Sequence, residues 1–462
     1  MKPIAIARDS VAAADPASAA QGAPQGTPKA SLSALDGIAM LVGIVVGIGI
    51  FRTPQIVALN VSSEWAFVGF WLIGGAVTLV GAFVYAELGS AYPHAGGEYH
   101  YLRRALGRHV ALLFAWARLT VIQTGAIAAV AFVFGDYAQG VLPLGPWGPA
   151  LYAAGAIMVF TAINLTSSRQ SRTLQLVFTI LTILAVLAIA GFGLALGSAP
   201  TPAPAATDAG SASGAFGLAM VLILLTYGGW NEVAYLSGEM KDVRRNMPRV
   251  LVISVAVITG LYFLINLAYL NVLGLDGLRA SDVVAADTLH QLFGPGASLA
   301  VALLVCFAAL STMNATIFTG ARLYYSLGRE LPLLGRIGLW EERSNMPVNA
   351  ILAQSAIALA LVVFGASTRV GFQAMVEYTA PVFWFFLRLV GVSFFLLRQR
   401  ESGRTDRFRA PLYPLTPALF CLTCAYLLYA SIAYTGYGAL VGVGVLLAGV
   451  PFIRLGATAK AA

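Results

Sequence analysis

The chain has 462 residues, of which 59% are hydrophobic and only 10% charged, and its mean hydropathy is +0.81. Soluble domains carry about 25% charged residues, so this composition disfavours a soluble enzyme, a nucleic-acid-binding domain and a disordered scaffold. The net charge of +8 is then a question of where the charges sit rather than of their sum.

Residues 1–31, rich in Ala, Pro, Ser and Gln, read as a disordered tail. From Leu35 onward there are twelve apolar segments, at 35–59, 65–89, 108–141, 149–166, 173–197, 214–237, 248–273, 296–327, 348–366, 371–397, 412–433 and 436–454. Crossing a bilayer takes roughly 20 apolar residues. The segments lack the alternation of a barrel, and an open strand in lipid would leave its backbone groups unpaired, so the spans are expected to be helices. This divides the chain into a tail (1–31), a first block (32–197), an external linker (198–213), a second block (214–397) and a C-terminal part (398–462).

Lys and Arg collect in cytoplasmic loops. With the tail inside, 23 of the 28 Lys and Arg, Arg322 among them, fall on the inner side, and only Arg279 and Arg369 fall outside. Both termini are therefore expected in the cytoplasm of a cell with this protein in its inner (plasma) membrane. The basic loops account for the high pI without nucleic acid and suit contact with anionic lipid. Residues 274–295, with three Asp and one Arg, read as an outside loop.

Two spans are unlike the rest. The first carries Gly43, Gly47 and Gly49 before Pro54, and the sixth carries Gly228 and Gly229 before Asn231 and Glu232. Glycine disfavours helix by up to about 1 kcal/mol relative to Ala, and unwound backbone at membrane depth is tolerated only inside protein or beside a cavity. The breaks are expected at Gly47–Phe51 and Tyr227–Asn231, about 180 residues and five helices apart. Five is odd, so the second block enters the membrane in the opposite sense. Matching interruptions in two inverted halves point to a transporter's midplane site. A half-helix N-terminus offers free N–H groups to a carboxylate and a half-helix C-terminus offers carbonyls to an ammonium, so two breaks at one depth can hold a zwitterion.

These residues carry a resemblance. The stretches GIVVGIGIFRTP (43–54), YAELGSAYPHAGGEYHYL (85–102), TYGGWNEVAYLSGEMKDVRRNMPR (226–249) and LSTMNATIFTGARLYYSLGRELPLL (310–334) resemble the amino acid–polyamine–organocation superfamily, in particular its L-type amino acid transporter branch and bacterial relatives. The resemblance implies an all-α polytopic membrane protein of twelve transmembrane helices. Its fold would be a leucine-transporter-like 5+5 inverted repeat with broken helices 1 and 6 and two extra C-terminal helices. It gives the N–H groups of Ile48 and Gly49 to a substrate carboxylate and the carbonyls of Val45, Leu225 and Gly228 to its ammonium. Gly47, Ile50, Thr226, Tyr227 and Gly229 complete the two segments, Trp230 packs against the pocket, and Asn231 contacts substrate or steadies the unwound backbone.

Leu225 stands where many relatives have an aromatic gate, Ile48 where many have Ser or Thr, and Thr182 where many have a lysine that replaces a sodium ion. Ser311 and Thr312, with the Gly43 and Val46 carbonyls, are a possible monovalent cation site. The alternative is that these hydroxyls satisfy helix backbone or pack at a small-residue interface. Thr182 and Glu232 are the possible coupling residues, with H+ or Na+ as the ion, and no other cofactor or metal is expected.

Other intramembrane polar residues are weighed one by one. Glu87 reads as an anchor for the loop that follows it, Glu232 as an ion pair or proton site, and Arg118 and Arg388 as side chains that snorkel from inner ends. Arg52 reads as an ion-pair partner for an acidic residue or as part of an outer gate, Asp136 and Glu377 read as solvated end residues, and Tyr85, Tyr92 and Tyr101 suit the membrane interface. Cys306, Cys421 and Cys424 all lie in apolar runs, so they form no disulfide framework and read as packing residues. The four histidines lack the His-Glu-x-x-His zinc spacing.

The expected activity is secondary active transport of amino acids, neutral ones by preference, by alternating access. A cationic amino acid or polyamine exchanger is the alternative, and a membrane amino acid sensor the reading from another class. No enzyme is expected, since an intramembrane enzyme needs a nucleophile with a base, or a metal, and the spans lack a mid-span histidine. The partners expected are a small amino acid substrate and lipid, with no obligate protein partner.

Overall fold

A computed structural model describes residues 28–198, 212–281, 283–331, 334–367, 371–401, 408–434 and 437–458. Most of the expected tail and linker, together with Asp282 and Arg369, lie outside the described residues, as do the side chains of Arg52 and Glu377. The chain is a helical membrane protein. Among the described residues, ten helices are long and apolar enough to cross a membrane, and Ala34–Val45 and Leu440–Pro451 are shorter apolar helices.

In chain order the helices are α1 (Ala34–Val45), α2 (Gly49–Leu59), α3 (Glu64–Ala91), α4 (Glu98–Leu106), α5 (Arg108–Ala117), α6 (Gln123–Val141), α7 (Gly148–Thr166) and α8 (Ser168–Leu196). They continue as α9 (Ala212–Thr226), α10 (Val243–Ala280), α11 (Val284–Phe293), α12 (Ser298–Glu330), α13 (Val348–Ser367), α14 (Gly371–Arg400), α15 (Leu415–Tyr434) and α16 (Tyr437–Thr458). A π-helical turn, Arg118–Ile122, joins α5 to α6, and a 3₁₀ segment, Trp230–Glu239, follows α9.

Local chemistry sets the ends. Ser33 caps α1 through the Asp36 backbone N–H at 3.2 Å, and Asp36 returns a bond to the Ser33 N–H at 2.8 Å, so two orphan donors are satisfied reciprocally. Ser63 and Ser167 cap α3 and α8 through their hydroxyls. The expected outside loop at 274–295 is mostly helical instead. Gly274, at φ 68 and ψ 172, kinks α10, and α11 follows at Val284.

α1 packs against α8, α10 and α12, and α9 against α2, α3 and α15, which places both breaks inside the bundle. The outer face of α8 is apolar and exposed at Val177, Ile180, Leu184 and Leu187, as a lipid-facing helix requires. Tyr85 and Tyr101 are fully buried, and Tyr92 lies beneath the Arg104 guanidinium at 4.8 Å, so none of the three is an interfacial anchor. Each sits where a neighbouring helix covers it, which the position along the chain alone did not reveal.

Candidate functional site

α1 ends at Val45 and α2 begins at Gly49, leaving Val46, Gly47 and Ile48 out of helical register. The Gly47 N–H turns back to the Val45 carbonyl at 2.7 Å, and the Phe51 N–H bonds Ile48 at 3.1 Å. The first N–H groups of α2, on Gly49 and Ile50, have no carbonyl four residues back within that helix to accept them. The break therefore begins one residue before the expected window and closes at Gly49.

α9 ends at Thr226, and Tyr227, Gly228 and Gly229 turn into the 3₁₀ segment. The Gly228 N–H bonds the Leu225 carbonyl at 3.0 Å. Gly229 adopts φ 107 in the left-handed region, and a Cβ there would lie 2.5 Å from Ile44 Cγ2. Only glycine meets both demands without strain. The second break thus leans directly on the first.

Three further contacts close the two breaks on each other. A Cβ at Gly49 would meet Thr226 Cγ2 at 2.8 Å, so the start of α2 lies flush against the end of α9. The Thr226 hydroxyl donates to Thr53 Oγ1 at 2.8 Å. Tyr262 of α10, fully buried, lies with its hydroxyl 2.7 Å from the Val45 carbonyl and 3.1 Å from the Thr226 carbonyl. Tyr227 and Trp71 pack on its ring, and the Tyr227 hydroxyl donates to the Trp71 carbonyl at 2.9 Å. Trp230 turns away onto Tyr85 and Phe420.

Beside the first break, Gly43, Ser311 and Thr312 come together. The Thr312 hydroxyl is 3.1 Å from the Gly43 carbonyl and 3.3 Å from that of Ile44, and the Ser311 hydroxyl is 3.4 Å from Gly43. Val46 spends its N–H on Val42. Sequence reasoning missed Gln175 here. Its amide nitrogen is 3.0 Å from Ser311 Oγ and 3.3 Å from Thr179 Oγ1, and it would be struck by a Cβ at Gly43. Gln175 continues to Asn314 at 2.9 Å and from there to Asn164 at 3.0 Å, a buried amide chain across α7, α8 and α12. Thr182 is buried with its hydroxyl unpartnered. The hydroxyls and the amide together supply hydrogen-bond donors to the oxygens that a hard cation would need.

A second polar centre lies under the second break. Arg118, at 1% exposure, does not snorkel. It pairs with Glu232 and stands 3.7 Å from Glu98. Glu232 also accepts from the Thr319 hydroxyl at 2.7 Å. Glu98 accepts from Asn231 at 3.0 Å, from Tyr235 at 2.5 Å and from Tyr85. The Tyr235 ring lies 4.8 Å from the Arg118 guanidinium. A π-helical turn often marks a functional position, and here it presents Arg118 to both acids. The structure gives Glu232 an ion pair, and it draws in Asn231 through Glu98.

Arg322, counted above with the loop charges, is wholly buried against Glu239 at 2.8 Å. Glu87 is an anchor, but for a distant segment: it accepts from the Ala410 N–H at 2.7 Å and pairs with Arg398 at 2.9 Å. Cys424 is buried and all three cysteines are free thiols.

Two breaks meet inside the helical bundle, and comparison with known proteins shows the family. A family model described as amino acid permease matches residues 32–452. The chain belongs to the amino acid permease family. Within that family, and so within the amino acid–polyamine–organocation superfamily, it is similar to the b(0,+)-type amino acid transporter 1 of Mus musculus, at 30% identity over 86% of this chain and 82% of the relative. It is 27% identical to the Cystine/glutamate transporter of Homo sapiens over 92% of this chain and 84% of that one. It is also 27% identical to the Large neutral amino acids transporter small subunit 2 of Mus musculus, over 93% and 81%. The family is one of permeases, and this permease carries its two breaks in the stretches that suggested the resemblance.

Proposed function

We propose that this permease is a secondary active transporter of neutral amino acids, working by alternating access in the inner (plasma) membrane with both termini cytoplasmic. In this reading it has twelve spans, with α1–α2 as the first and α9 with the 3₁₀ segment as the sixth, in a 5+5 inverted repeat followed by two extra helices. The observation that carries the reading is the meeting of the breaks, with the Tyr262 hydroxyl at 2.7 Å from Val45 and 3.1 Å from Thr226. The N–H groups of Ile48, Gly49 and Ile50 take the carboxylate, and the carbonyls of Val45, Leu225 and Gly228 take the ammonium. One relative's printed name speaks of large neutral amino acids, which supports the substrate class.

Of the two coupling ions, H+ fits better than Na+. At Gly43, Val46, Ser311 and Thr312 the hydroxyls are within hydrogen-bond distance of carbonyls and the Gln175 amide faces Ser311, so donors already serve the oxygens. We place coupling at Glu232; Thr182, in α8, carries no charge. A cationic substrate is the second reading, favoured by the two carboxylates against one guanidinium beneath the second break.

The test is uptake of the twenty labelled amino acids and of polyamines into proteoliposomes made from the purified chain alone, under sodium and proton gradients. Saturable accumulation of neutral amino acids is expected, without added protein, although one relative is named as a small subunit. Binding without uptake under any gradient would make the chain a sensor.

A further inference from the structure

Arg388 of α14 belongs to neither polar centre. Along the chain it reads as a side chain that snorkels from an inner end, but the apolar span that holds it runs from Tyr378 to Arg400, and Arg388 stands near its middle. At about 1.5 Å per residue, either end of that span is about 15 Å or more away along the helix. That is half of a hydrocarbon core about 30 Å thick, and the three methylenes of an arginine do not carry a guanidinium so far. Arg388 is exposed at the surface of the bundle, with Phe385 exposed one turn before it. Among the described residues, no hydrogen bond or ion pair engages its guanidinium. One turn further on, α14 and α15 close on each other, since a Cβ at Gly391 would lie 2.6 Å from Cys421 Sγ. Leu419, Leu422 and Tyr429 of α15 are exposed as well.

We propose that the lipid-facing side of α14, centred on Arg388, docks a membrane-spanning helix of a partner protein that carries an Asp or Glu at mid-depth. A charge in hydrocarbon is costly and marks a functional position. Lipid phosphates lie at the two interfaces rather than at the middle of the core, so a headgroup does not meet Arg388 in an undeformed bilayer. A second copy of this chain has no acid to offer either. Among the described residues, Glu87, Glu98, Glu232 and Glu239 are buried against arginines. Asp136 stands near the Val141 end of α6, and Glu377 precedes the span that holds Arg388. In a two-fold contact through this face, moreover, like charge would meet like. A carboxylate on a foreign helix can lie at the right depth and accept two N–H groups of the planar guanidinium at once. Apolar side chains around it would meet Phe385, Leu419 and Leu422. The same charge makes the face selective, because a helix with a cation at this depth is repelled. α14 packs on α4, α6 and the π turn, which belong to neither break, so docking here is separate from substrate binding.

The test is energy transfer between the labelled full chain and synthetic single-span helices in phosphatidylcholine bilayers. The probes are Leu/Ala peptides of about twenty residues with Glu, Gln or Lys at the midpoint, a position that lies at mid-depth in either orientation. The Glu peptide is expected to saturate transfer at about a tenfold lower peptide-to-lipid ratio than the Gln peptide, and the Lys peptide to give none above chance encounter. Arg388→Leu, an ordinary apolar residue on a lipid face, is expected to abolish the preference for Glu, and Arg388→Lys to keep part of it. Arg388→Glu is expected to reverse it in favour of the Lys peptide. Equal binding of the Glu and Gln peptides by the wild type overturns the proposal, as does a Glu preference that survives in Arg388→Leu. A preference that disappears when phosphatidylglycerol is mixed into the bilayer gives Arg388 to lipid headgroups and overturns it too. Transfer between copies of the chain that is lost in Arg388→Leu gives the face to a second copy, with the same result. None of these readouts involves uptake, so the transport reading stands or falls separately.

Discussion

Tyr262 donates to Val45 across 217 positions of sequence, its hydroxyl 2.7 Å from a carbonyl that has left its helix. The same oxygen is 3.1 Å from the Thr226 carbonyl at the other break. One phenol therefore spans both interruptions and holds the proposed ammonium acceptor in place. Tyr262→Phe leaves the ring packing on Trp71 and Tyr227 but removes the donor. It is expected to destabilise by about 1 kcal/mol and to weaken substrate affinity, read by thermal unfolding and by binding in detergent. An unchanged affinity would show that the phenol only packs.

The two glycines that let the breaks touch are expected to fail differently. Gly229→Ala must hold a left-handed residue and drive Cβ into Ile44, at a cost of about 1–2 kcal/mol from conformation before any clash. Gly49→Leu keeps an allowed conformation but pushes bulk against Thr226. Loss of binding without a comparable loss of thermal stability is the expected signature of Gly49→Leu, whereas Gly229→Ala lowers both.

Arg118→Met strands two buried carboxylates. Removing one partner of a buried pair costs about 3–5 kcal/mol, so a large fall in the unfolding temperature is expected. Adding Glu232→Gln to Arg118→Met removes one of the stranded charges and is expected to recover part of the loss, a non-additivity that a double-mutant cycle measures.

His94 and His100, in the connection and helix between α3 and α5, stack at 4.4 Å. Burial holds both below the ordinary histidine range, and His100, with His94 and Arg104 adding to burial, is pushed down to about 3 from 6.5. The unfolded chain therefore binds protons that the folded chain refuses. Stability is full above about pH 6.5 and falls as pH drops from there toward about 3. Thermal unfolding at about pH 8 and about pH 5 is expected to show this fall, and His100→Gln to make it smaller.

Much of this was legible in the sequence because lipid makes the rules simple. Apolar length located the ten long apolar helices among the described residues, and glycine next to Asn231 and Glu232 located the second break to within a residue or two. The pairing of charges was not legible. Arg118 sits where a basic residue ordinarily reaches for the interface, and only the packing of the 3₁₀ segment turns it inward to Glu232. Glu98 carries no signal of its own, because nothing along the chain says that α4 folds back under Asn231. Gln175 had a signal, an amide between Leu174 and Leu176 at the head of an apolar run. Tyr262 had none, since a tyrosine in a span is ordinarily a packing residue. The resemblance located both breaks without revealing what bridges them.

Leu32, just ahead of α1, gives its N–H to Glu239 and takes the Lys241 N–H on its carbonyl, both at 2.9 Å. Those two bonds tie the root of the first broken helix to the far end of the 3₁₀ segment. The two pieces cannot part without giving up both bonds, so a tilt in one carries the other with it. A load applied at the N-terminus, such as a fused domain, a bound protein or a tether, would act on two hinges at once, and the chain has one lever where its sequence shows two.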